Sequence, residues 1–160
     1  GVYTIEIDET NRKNEEWYIN TNITYSYDSS AKKVKGTYGT ATAKAHADTK
    51  WTQSEIDAGK APAGADTNTV KTEGLKTVLI RVIKSQVKSI LNETDWYITR
   101  KSEEDTAIPS SITTHRKAVR TKQAAMETAI TNAADTATLE TLHTRDSNGD
   151  RPLGDLPTLE

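Results

Sequence analysis

Leu75-Lys76-Thr77-Val78-Leu79-Ile80-Arg81-Val82-Ile83-Lys84-Ser85-Gln86-Val87-Lys88-Ser89-Ile90-Leu91-Asn92-Glu93-Thr94-Asp95-Trp96 decides the fold of this chain. Leu75, Val78, Leu79, Val82, Ile83, Val87, Ile90 and Leu91 recur at three- and four-residue spacing, the period of a helix, and predict one from about Thr72 to Asn92. With Ile80 included these side chains sweep roughly 220° at 100° per residue, far more than the ~100° stripe of a helix facing a single core. Such a helix is expected to be covered on two sides. A partner helix supplies one cover; the N-terminal strands or another chain supplies the second. Arg81, Lys84 and Lys88 share the remaining face and read as solvated charge.

The stretch continues with Trp96-Tyr97-Ile98, a charged segment Thr99–Asp105, and Ile108-Pro109. A Trp just past a helix is expected to fold back as a core plug, and Thr99–Asp105 to be a loop. Pro109 stands where a first-turn proline is tolerated. A second helix is expected from about Ser110 to Ala133, with a narrow seam of Ile112, Val119, Met126 and Ile130 flanked by His115 and Ala133. A narrow seam suits antiparallel packing on the first helix. A coiled coil ranks second, because Lys122 and Gln123 interrupt the heptads. A short helical turn with Leu139 and Leu142 closes the module.

Ser89-Ile90-Leu91-Asn92-Glu93-Thr94-Asp95-Trp96, Ile108-Pro109 and His115-Arg116-Lys117-Ala118-Val119-Arg120 together resemble a motif of tailed-phage proteins. The motif belongs to the C-terminal region of tail-fibre assembly and tail assembly chaperone proteins. It runs Leu-Leu, Thr-Asp-Trp, a loop with Pro, Tyr-Arg and Ala-x-Arg. The likeness covers Val87 to about Arg120, roughly a fifth of the chain, and His115 stands where the pattern has Tyr. It implies a helical pair in which Thr94 or Asp95 caps exposed backbone while Trp96 covers the helix end. Arg116 and Arg120, one turn apart, would face the loop acids Glu103, Glu104 and Asp105.

Working outward, Tyr3, Ile5 and Ile7 alternate with Thr4, Glu6 and Asp8, the pattern of a half-buried strand. Asn11–Asn14 reads as a turn, and Trp17-Tyr18-Ile19 resumes apolar structure. Ile23, Tyr25 and Tyr27, a break at Asp28-Ser29-Ser30, and an arm with Val34, Tyr38, Thr40 and Thr42 make a hairpin. Gly36 and Gly39 mark a bulge or an edge in that arm. The texture loosens from Ala43 to Val70, except that Thr52 and Glu55 form a capping box and Gly59 a helix stop. From Asp146 onward Asn148-Gly149, Pro152, Gly154 and Pro157 describe an extended tail. The expected fold class is therefore α+β, a β-hairpin or small antiparallel sheet followed by a helical hairpin and an extended C-terminal tail. Its divisions are a β-rich region (1–45), a linker with a short helix (46–70), the helical hairpin module (71–144) and the tail (145–160).

Composition narrows the function. Hydrophobic residues make up 34%, Phe is absent, and about one residue in six is Thr. So thin a core must offset an ordering cost of ~1–2 kcal/mol per residue, which points to support from neighbouring subunits. A net charge of −2 argues against a dedicated nucleic-acid or acidic-membrane binder. No apolar run suffices to span a bilayer, and the first residues lack a signal-peptide pattern. With no Cys there are no disulfides, thiol nucleophiles or thiolate metal sites.

His46, His115 and His143 fall at no metal-ligand spacing, and His115 reads as a packing residue in the helix seam. Asp146–Asp150 begins like a calcium loop, but Arg151 replaces the Gly at the sixth position and Pro157 the bidentate Glu, so it reads as a turn. Asn22-Ile23-Thr24 and Asn92-Glu93-Thr94 match the glycosylation triplet and carry no weight without secretion. No nucleophile, acid/base pair or phosphate-cradling loop appears, so neither catalytic, metal nor cofactor residues are expected. The expected function is a non-enzymatic component of a tailed-phage virion, in the tail or fibre-attachment region and assembled in the host cytoplasm. Its partners would be itself or other phage structural proteins, not nucleic acid or membrane. The contact surface is expected on Leu79, Val82, Ile83 and Ile90. The alternative is a transient fibre-assembly chaperone that leaves before the particle is complete.

Overall fold

The computed structural model describes residues 3–159; Gly1, Val2 and Glu160, which the divisions above include, lie outside them. The chain divides into two compact units, Gly1–Lys44 and Ala45–Glu160. Sheet dominates the first and helix the second, so the protein is α+β.

The first unit holds β1 (Thr4–Asp8), β2 (Tyr18–Ile19), β3 (Thr24–Asp28), β4 (Lys33–Thr37) and β5 (Thr42–Ala43). β3 and β4 form the expected antiparallel hairpin. Asp28 closes its turn by accepting hydrogen bonds from the Ser30 and Ala31 N–H groups at 2.9 and 3.0 Å, the side-chain mimicry of a turn that makes Asp common there. β1 then joins the far side of β4 in parallel, giving the order β1-β4-β3. The register sets Ile5, Val34 and Tyr27 in one row and Ile7, Gly36 and Tyr25 in the next.

Every charged side chain of these strands lies on the opposite face from that apolar set, where Lys33 pairs with Glu6 at 3.3 Å and Lys35 with Asp8 at 3.2 Å. Gly36 marks neither a bulge nor an edge. It sits in the central strand, where a Cβ would come within 2.8 Å of Ile7 Cδ1 and 2.9 Å of Ile23 Cγ2, so its bareness lets the neighbours close over it. β2 and β5 form a separate two-stranded ladder beside the buried Trp17 and Tyr18.

The second unit contains β6 (Thr49–Lys50), α1 (Gln53–Asp57), β7 (Val70–Thr72), α2 (Leu75–Asn92), α3 (Asp95–Glu104), α4 (Ser110–Asn132) and α5 (Thr136–His143). The segment expected to be a linker with a short helix does hold that helix, α1, but encloses it in a β6–β7 ladder with a bulge. The Thr52/Glu55 capping box is present at the start of α1. Thr72 belongs to β7 rather than to the long helix, which begins at Leu75 after Gly74. There the orphan N–H groups of a helix start find unusual partners. Leu75 and Lys76 N–H donate to the Ala45 and His46 carbonyls at 2.9 and 3.0 Å. Asp48 accepts from Gly74 N–H and the Thr77 hydroxyl, both at 2.7 Å, and these bonds hold its carboxyl below the usual range. A Cβ on Gly74 would stand 2.3 Å from the Ala47 carbonyl carbon, so only glycine admits this approach.

The core of this unit is the α2–α4 pair with α5: Ile83, Val87, Ile112, Val119, Met126, Ile130 and Leu139 are buried. Between α2 and α4, Thr99–Asp105 is not a loop. Most of it belongs to α3, which ends at Asp105 in the left-handed region (φ 53°). The charged sequence Thr-Arg-Lys-Ser-Glu-Glu is helix-compatible, and a half-exposed helix needs no wide apolar stripe to signal itself. Past α5 the described residues form no further helix or strand, yet they are tied down. Leu153 is buried with its N–H on the Leu142 carbonyl at 3.0 Å, and Asp155 takes a two-pronged bond from Arg145 at 2.9 and 2.8 Å. Asp146 accepts from the Asn148 and Asp150 N–H groups at 2.8 and 3.0 Å, which closes the expected turn.

Candidate protein-interaction surfaces

Thr94, Asp95 and Arg116 form one hydrogen-bonded cluster. α2 ends at Asn92, and just beyond it the Leu91 carbonyl accepts from the Thr94 N–H and hydroxyl, both at 3.1 Å. Arg116, brought in from the second turn of α4 and nearly buried, donates from Nη1 to that carbonyl at 2.8 Å and to the Thr94 hydroxyl oxygen at 2.7 Å. Its Nη2 meets Asp95 at 2.8 Å. The guanidinium thus places a cation at the carboxyl end of α2, and Asp95 places an anion in the first turn of α3, each favourable to its helix dipole. This corrects the expectation that Arg116 and Arg120 face Glu103, Glu104 and Asp105: Arg116 serves the Thr-Asp step, and Asp105 pairs with Lys101.

Trp96 is no core plug. It is 51% exposed on α3, stacked at 3.8 Å on Tyr97, with the Arg100 guanidinium 4.7 Å above it. Thr94 occupies the buried position instead, because α3 starts immediately and its first turn carries Trp96 outward. Pro109 immediately precedes α4, and His115 is buried in the seam of that helix.

The four residues expected to present α2 to a partner do not share an exposed face. Ile83 is buried within its own unit, a correction that follows from its position over α4. Leu79 and Ile90 are half-buried, and Val82 is 48% exposed with Val78 beside it one turn earlier. The cationic face of α2 is engaged by Glu73 on Arg81 and Glu127 on Lys84.

Two surfaces were not read from the sequence. The first is the apolar face of the β1-β4-β3 sheet, taken as a strand face turned inward. Ile5 is 65% and Tyr25 60% exposed, with Tyr3, Ile7 and Tyr27 exposed alongside, Tyr3 edge-on to Tyr27 at 5.3 Å. Alternation reports which side of a strand is apolar, not whether that side is covered. At roughly 200 Å² per side chain these exposures leave about 500 Å² of apolar surface, within the ~300–600 Å² of the largest patch on a typical monomer. β1 and β3 are edge strands bearing no Pro and no Lys, the residues that commonly guard an edge.

The second is a groove of about 320 Å³ between α3 and α4, lined by Ile98, Ile108, Thr113, Arg116, Lys117 and Arg120 among others. The expectation of a loop over Thr99–Asp105 hid it; Ile98, one turn after Asp95, was the available signal. Among the described residues no three His, Asp or Glu gather as a metal would need, and no helix is long and apolar enough to cross a membrane. No protein-family model matches this chain, and neither does any curated protein or solved structure.

Proposed function

We propose that this chain is a non-enzymatic subunit of a tailed-phage particle, in the tail or fibre-attachment region, and that it acts by contacts between protein chains. The observation carrying the proposal is the sheet face of Tyr3, Ile5, Ile7, Tyr25 and Tyr27, apolar and open to solvent although the three strands segregate all their charge to the other side. The largest apolar patch on a monomer is often a contact surface, and another chain seated on this one would remove it from water. A second copy suits it, since a face without charge meets its own image without like-charge repulsion, and the edges of β1 and β3 offer backbone groups for sheet extension. The phage assignment rests on the Thr94-Asp95-Trp96 and Arg116 to Arg120 motif, whose Thr, Asp and first Arg form the joint between α2, α3 and α4.

The alternative is an assembly chaperone that holds a fibre polypeptide on the same surfaces and departs. Quantitative mass spectrometry of purified particles separates the two. A structural subunit is expected at a fixed whole-number ratio to a known tail protein, and its absence from finished particles would overturn the proposal in favour of the chaperone.

A further inference from the structure

We infer that the groove between α3 and α4 is a docking site for an acidic, aliphatic segment of another polypeptide, a surface separate from the sheet face and independent of it. The groove pairs an apolar floor with unspent positive charge. Ile98 and Ile108 supply the floor, and Ile98 is 45% exposed although it faces a concavity rather than open surface. Lys117 and Arg120 stand on the α4 wall, and among the described residues neither has a carboxylate partner, whereas α2's Arg81 and Lys84 both do.

Arg116, the third cation, is already committed to Asp95, Thr94 and Leu91, so it shapes the wall without offering charge. No acidic side chain lines the groove to neutralise it. Asp105 is held by Lys101, and at 100° per residue Glu103 and Glu104 lie well round α3 from Ile98. Beyond Lys117 the groove opens onto a shallower depression floored by Ala118 and Ala125 and edged by Lys122, so an extended segment can run along α4 for more than one residue.

The shape and charge select the ligand. An aliphatic side chain fits between Ile98 and Ile108 and removes both from water, while flanking carboxylates reach Lys117 and Arg120. Charge at the rim of such a site sets encounter rate and register, and the apolar contact sets residence. A nucleic-acid strand fits less well: two free cations release few counterions, and no exposed aromatic lines the groove to stack a base.

The test uses the full chain and a fluorescein-labelled heptapeptide of alternating aspartate and leucine, followed by anisotropy at low salt. The expected result is saturable binding that weakens at least about tenfold in Lys117→Gln/Arg120→Gln, and again in 0.5 M NaCl. The asparagine–leucine counterpart of the peptide is expected not to bind. Both substituted side chains are exposed, so circular dichroism and the unfolding midpoint should stay at wild-type values. Ile98→Asn, also at a partly exposed position, should weaken binding without removing its salt dependence. Three results overturn the inference: no binding to the wild-type chain, equal binding of the asparagine peptide or of the double variant, or a thymidine oligonucleotide of equal charge binding more tightly than the peptide.

Discussion

Arg116 shows how much one side chain does when its geometry fits. Its planar fork reaches a helix-terminal carbonyl, a buried hydroxyl and a carboxylate at once, which a lysine's single ammonium cannot reproduce. Arg116→Ala is therefore expected to destabilise the chain by about 1–3 kcal/mol in urea unfolding, because the Leu91 carbonyl and Thr94 hydroxyl, though still bonded to each other, lose their charged donor and Asp95 loses its partner. Arg116→Lys should recover only part of that loss. A surface control such as Lys88→Ala should stay within about 0.5 kcal/mol. The sequence marked Thr94, Asp95 and Arg116 as belonging together but not as bonded to one another. Their separation of about twenty residues becomes a contact only once α3 turns the chain, and the apolar period that locates helices is weak there.

At the scale of elements, the short helix α1 is fastened from both ends of its acid. Glu55 is held down to about 2 by Lys71 foremost, then by the Thr52 N–H and hydroxyl. A carboxyl lowered in the folded state adds stability that is whole above its ordinary value of 4.5 and is lost as pH falls from 4.5 toward 2. An NMR titration should place the Glu55 midpoint near 2, and Lys71→Met should move it upward toward 4.5 while flattening the acid side of the stability profile. A Glu55 midpoint already near 4.5 in the wild-type chain would show that the Lys71 contact does not persist in solution.

Elements with their own local chemistry were legible: the capping box at Thr52, the β3–β4 turn at Asp28, the seam of α4. Elements defined by distant partners were not. β1 carries a clear alternation, but its parallel place beside β4 depends on pairing across the whole hairpin, which no local pattern encodes. The start of α2 depends on Gly74 letting the Ala47 backbone approach, and a lone glycine before an apolar run does not announce that.

For the whole molecule, the expectation that the long helix lacks cover within its own chain shifts to the sheet. α2 turns Ile83 and Val87 inward and leaves only Val78 and Val82 exposed among its aliphatics, whereas in the N-terminal unit five large apolar side chains on one face remain open. Composition suggests a thin core but not where apolar surface stays open, because strand alternation is the same whether the apolar side meets a neighbour or water. The phage reading and the chain–chain reading part here, since the second stands on the exposed face alone. Its most direct test is multi-angle light scattering of the full chain at about 100 µM, beside Ile5→Lys and Tyr25→Lys. The expected result is a wild-type mass that is a small whole multiple of 17.6 kDa, falling to 17.6 kDa in both variants with their folding intact. A wild-type chain that remains at 17.6 kDa, indistinguishable from the lysine variants, would contradict it.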